Sequence, residues 1–134
     1  MKKITEHWLN AASEDLLAAK QLLSVDGLTN LVAFHAQQCL EKSMKALLEE
    51  KEALTNIRTH DLLRLYRLIQ TEIELTDTSA LVFLNQLYTD ARYPGDAGLM
   101  PEGKPSFEDA LLFVNFTEDF YHQIKARLAQ KFHG

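Results

Sequence analysis

Residues Leu28 to Glu50, LTNLVAFHAQQCLEKSMKALLEE, decide how the rest of the chain is read. No Pro or Gly interrupts them, and the strong helix formers Ala, Leu, Met, Glu, Lys and Gln dominate. At about 100° per residue, Val32, Ala33, Ala36, Cys39, Leu40, Met44, Ala46, Leu47 and Leu48 sweep roughly 200° of helix surface. A helix lying on one core needs about half that arc. The stretch is therefore expected to be the central member of a bundle, touched on two sides. His35, Gln38, Lys42, Lys45 and Glu49 fill the narrow remainder, and Glu41 and Lys45 are spaced for an i,i+4 ion pair.

Working outward, a helix is expected from Thr5, its possible N-cap, to about Ser24. Its apolar stripe is Trp8, Leu9, Ala12, Leu16, Ala19, Leu22 and Leu23. The Asp26-Gly27 turn signal makes this helix an antiparallel neighbour of the central one. After polar residues 51–58, THDLLRLYRLIQ begins a short helix with Thr59 as the expected N-cap and Asp61 in its first turn. Its stripe is Leu62, Leu65, Tyr66 and Ile69. Residues 71–78 read as a loop in which Asp77 or Thr78 caps a helix over 79–92, burying Leu81, Leu84, Leu87, Tyr88 and Ala91.

All three prolines and three of the five glycines fall in residues 93–105, which excludes regular structure there. A last helix then runs from Ser106 to about Lys131, with Ser106 and Asp109 spaced like a capping box. Phe107, Ala110, Leu111, Val114, Tyr121, Ile124 and Leu128 are assigned to its core face. Phe113, Phe116 and Phe120 fall partly off it; they would either cover the Pro/Gly stretch or form a dimer contact, and the contact is the assignment taken. No strand alternation or internal repeat is present. The expected architecture is all-α: an up-and-down bundle of four main helices plus a shorter fifth, in one domain over residues 1–134.

Composition narrows the classes of function. The chain is 46% hydrophobic and 25% charged, ordinary for a globular protein, with net charge −5. That balance argues against coating nucleic acid by bulk electrostatics, although a local basic groove stays possible. One cysteine, Cys39, cannot make an internal disulfide, which fits a reducing, cytoplasmic setting, and its place on the buried arc assigns it to packing. The two N-terminal lysines have no apolar stretch after them, so no signal peptide is expected, and no run approaches a membrane span.

Metal and phosphate motifs are missing. There is no Glu-x-x-His pair, HExxH, CxxC or glycine-rich phosphate loop, and no metal or cofactor is expected. His60-Asp61 resembles the dyad of HD-type phosphohydrolases, but the flanking histidines those sites need are not found in order; a helix first turn explains the pair equally well. His35, Gln38 and Lys42 share one stripe of the central helix. With Arg58, His60, Arg92 and Tyr93 they would make a hydrogen-bonding cleft for a phosphate or base edge. The plainer alternative is a solvated helix edge.

FHAQQCLEKSMKALL (Phe34 to Leu48), THDLLRL (Thr59 to Leu65) and YTDARYP (Tyr88 to Pro94) occur in the order and spacing of the HEPN domain, and the chain resembles that family across roughly residues 5 to 130. The resemblance implies a helical bundle, usually dimeric, in prokaryotic cytoplasm. Such proteins are often encoded beside a minimal nucleotidyltransferase, in pairs resembling toxin–antitoxin systems. Other HEPN proteins are metal-independent ribonucleases, in which an Arg and a His separated by four to six residues meet their counterparts in a dimer cleft. Here Arg92 stands where that arginine would be, but Ala97, Gly98 and Leu99 occupy the positions for His. The chain's Arg-x(5)-His, Arg127 to His133, lies at the last turn of the final helix.

Three readings follow. One is a non-catalytic, dimeric HEPN module that binds a minimal nucleotidyltransferase or a nucleotide. Another is a degenerate ribonuclease acting on RNA, with Arg92 and His60 or His35 as catalytic candidates. The third is an adaptor with no ligand site.

Overall fold

A computed structural model describes residues 1–52, 59–91 and 104–130, with backbone only for 88–91. These residues form five helices: α1 (Lys3–Leu23), α2 (Thr29–Glu50), α3 (Leu62–Ile69), α4 (Ser79–Ala91) and α5 (Phe107–Gln130). No strand occurs among them. The fold is the all-α bundle expected, with α3 as the short member. No described helix is long and apolar enough to cross a membrane.

α2 packs against each of the other four helices, as its wide apolar arc requires. Val32, Ala33, Ala36, Cys39, Leu40, Met44, Ala46, Leu47 and Leu48 are all buried on it. Burial pushes the Cys39 thiol up to about 12, with only a weak opposing contact from Ser43, so this side chain is packing material and not a nucleophile. α1 lies beside α2 across the Asp26-Gly27 turn, where Gly27 takes φ +83°, a left-handed conformation that a Cβ would strain.

The ends of the helices differ from the sequence expectations in instructive ways. Thr5 does not cap α1, which starts at Lys3; it is buried, and its hydroxyl donates to Glu50 Oε1 at the far end of α2 (2.9 Å). The N-cap of α3 is Asp61, not Thr59. Asp61 Oδ1 accepts from the backbone N–H groups of Leu63 (3.0 Å) and Arg64 (3.2 Å). Asn85 of α4 reinforces that start, accepting from Leu62 N–H (2.9 Å) and donating to Asp61 (3.1 Å). Tyr66 folds the α3–α4 loop inward: its hydroxyl donates to Ile73 O (2.8 Å) and accepts from Leu75 N–H (3.0 Å). Asp77 accepts from Ser79 N–H (2.9 Å), and that bond holds its carboxyl below the usual range. Ser106 Oγ accepts from Asp109 N–H (3.0 Å), the forward half of the capping box.

α5 is rotated from the sequence expectation. Phe113 and Phe120 are fully buried inside the monomer, which removes these two rings from the expected dimer contact, and Phe116 is half-buried against the same core. Phe113 meets Phe83 edge-on (ring centroids 5.2 Å), and Phe120 meets Tyr66 (6.5 Å). Phe107 and Leu111, assigned to the core from their spacing, are exposed instead. Both arcs of α5 are apolar; its packing on α2 and α1, with Tyr66 and Phe83 against its rings, decides which one is covered.

Candidate functional site

The polar residues of α2 do not simply face solvent. At about 100° per residue His35, Lys42, Gln38, Lys45 and Glu41 follow one another around roughly a third of the helix, forming a belt. At one edge, α1 contributes Asp15, a carboxylate placed within an otherwise apolar stripe and almost wholly buried. Lys42 Nζ donates to Asp15 Oδ2 at 2.7 Å, and His35 Nδ1 lies 2.8 Å from Asp15 Oδ1. A carboxylate accepts only, so the imidazole carries its proton on Nδ1. Gln38, half-buried, stands between the two ends of the belt.

At the other edge, Glu41 is 5% exposed and holds an ammonium and an imidazole. Lys45, four residues on, donates to Oε2 at 2.9 Å, the ion pair its spacing predicts. This pair is buried, not solvated. The ammonium also sits 5.4 Å from the centre of the Trp8 ring, which offers it a π face in place of the water it has lost. His60, just before α3, brings Nδ1 within 3.0 Å of Glu41 Oε1. Its side chain is half-exposed, so a buried carboxylate backs an accessible imidazole. Such backing fixes the ring's orientation and tautomer.

The structure thus brings His35 and Lys42 together through Asp15, and joins His60 to the same helix through Glu41. Arg58, Arg92 and Tyr93 lie outside the described residues, as does His133. Arg127 belongs to another cluster: it and Lys51 both bind Glu72 Oε1, at 3.1 and 2.8 Å, tying the ends of α2 and α5 to the α3–α4 loop. Burial works against the charge on Glu72, but the two cations outweigh it and hold the carboxyl below its usual 4.5. Among the described residues, no group of three or more His, Cys, Asp or Glu side chains converges as a metal site would require.

The sequence reading assigns Asp15 no role, and it gives Glu41 its pair with Lys45 but not its contact with His60. The signal for Asp15 was present: Trp8, Ala12, Asp15 and Ala19 share one side of α1, so an acid there has to be buried or paired.

A model of the HEPN domain matches residues 5–127, a span that includes all three sequence stretches quoted above. The chain belongs to the HEPN family. Its fold agrees: the crystal structure of an archaeal HEPN homologue superposes with a TM-score of 0.67 at 29% identity, covering 95% of this chain and 98% of that one. No curated protein matches the sequence. Within this HEPN chain, Glu41, Lys42 and Lys45 of the central signature are the residues that organise the belt.

Proposed function

We propose that this HEPN chain is a non-catalytic binding module: a homodimer that holds a protein partner, expected to be a minimal nucleotidyltransferase, or a nucleotide. A toxin–antitoxin-like pair in the cytoplasm is the corresponding setting. The observation that carries the reading is that the belt's cationic and imidazole groups are held on carboxylates of the same chain, Asp15 and Glu41. A phosphate would have to compete with those carboxylates for Lys42 and Lys45. A protein surface needs only the fixed hydrogen-bonding groups the belt presents. The absence of a His at residues 97–99 after Arg92 points the same way.

Co-purification from the source cells tests it. Recovery of a nucleotidyltransferase with the tagged chain, reduced by Gln38→Ala or Lys42→Ala, is the expected result. A chain that recovers none, and binds no nucleotide when isolated, removes the reading.

One observation favours a second reading. Glu41 behind His60 is the arrangement that suits an imidazole to proton transfer, so a degenerate ribonuclease would use His60 with Arg92. A metal-free cleavage assay on end-labelled RNA separates the two. Cleavage by the wild type that is lost in Arg92→Ala and His60→Gln supports the enzyme. No cleavage by folded wild type leaves the binding module.

A further inference from the structure

The outer face of α4 and α5 differs from the rest of the surface in two independent ways. Residues 79–91 and 107–124 contain no Lys or Arg at all, yet they hold five carboxylates: Asp90, Glu108, Asp109, Glu118 and Asp119. Glu118 is engaged by Lys20 of α1. Among the described residues, no cation pairs with Glu108, Asp109 or Asp119. The same two helices leave large apolar side chains in solvent: Val82 (44% exposed), Phe83 (40%) and Leu112 (51%). Phe83 rests edge-on against Phe113 of α5, and at about 100° per residue Glu108, Leu112 and Asp119 share one side of that helix.

We propose that the α4–α5 face is a docking surface for a cationic amphipathic helix of a protein partner. Apolar anchors would seat on Phe83 and Leu112, while lysines or arginines along their flanks meet Glu108, Asp109 and Asp119. The charge pattern selects this occupant over the alternatives. A two-fold contact through this face would set the same carboxylates against one another, because an isologous interface pairs a surface with itself. Nucleic acid phosphates would be repelled in the same way. The inference rests on the reading of the chain as a partner-binding module, and it gives that partner's contact surface a chemistry.

The test is fluorescence anisotropy with two labelled synthetic helices, one carrying leucines on one face and lysines on the other, its counterpart carrying glutamates for lysines. Wild type is expected to bind the lysine helix saturably and the glutamate helix far more weakly. Leu112→Asp and Asp119→Lys should each weaken binding roughly tenfold. Leu17→Asp, at an equally exposed position on α1, should leave it unchanged. No saturable binding, equal binding of both peptides, or equal loss in the Leu17 variant overturns the inference. So does a wild-type dimer that Leu112→Asp dissociates, since the face would then belong to a second copy. A nucleotidyltransferase that co-purifies undiminished with folded Leu112→Asp would remove this surface while leaving the partner-binding reading intact.

Discussion

The polar belt of α2 and the outer face of α4–α5 solve opposite problems with similar residues. In the belt the acids are buried and matched: Asp15 by Lys42 and His35, Glu41 by Lys45 and His60. On α4–α5, Glu108, Asp109 and Asp119 pair with no cation among the described residues, and large apolar side chains of the same helices are uncovered. A buried charge needs its partner in the same chain, because desolvation is otherwise too costly. A solvated charge does not, and is available for a partner elsewhere. Removing one of the belt's buried carboxylates should therefore act mainly through stability, and substituting the exposed residues of α4–α5 mainly through binding.

The strongest test of that contrast is Glu41→Gln, which strands the buried ammonium of Lys45 and removes the support of His60. It is expected to lower unfolding free energy by about 3 kcal/mol in urea titrations. A loss near zero would mean the pair is not desolvated, and the two regions would no longer differ in kind. Asp15→Asn should cost less, about 1.5 kcal/mol, because Lys42 and His35 are partly exposed and can turn to water. A cost as large as that of Glu41→Gln would place the two edges of the belt in one cooperative network.

Glu72→Gln sharpens the comparison with a pH dependence. The folded-state carboxyl titrates below its usual 4.5, so its contribution is present above that value and disappears as pH falls through the lower folded value. Wild type should exceed the variant by about 1 kcal/mol at pH 7, and the gap should close in acid. A gap that is constant down to acid unfolding would assign the effect to packing and not to charge. The smallest stability change belongs to Leu112→Asp, about 0.5 kcal/mol or less, despite its expected effect on peptide binding. A large loss of stability there would show that Leu112 is part of the core.

Much of this architecture was legible in the primary structure, and particular residues show where legibility stopped. The central helix was readable because nine small or apolar residues on one wide arc admit only a buried placement. Glu41–Lys45 was readable because its spacing is local. The α3 N-cap was missed because Thr59 and Asp61 are both good caps, and Asn85, from another helix, settles the choice. On α5, Phe107 and Leu111 compete with Phe113 and Phe120 for the same core. No periodicity ranks two apolar arcs of one helix.

The sequence by itself determined the helices, the central place of α2 and the family, because each depends on local spacing or on motifs in order. Tertiary structure alone decided that Asp15 binds His35 and Lys42 across two helices, that Glu41 joins Lys45 to His60, and that the rings of α5 turn inward. Those outcomes depend on which side chains meet across the core, and burial energy favours meeting without naming the partner.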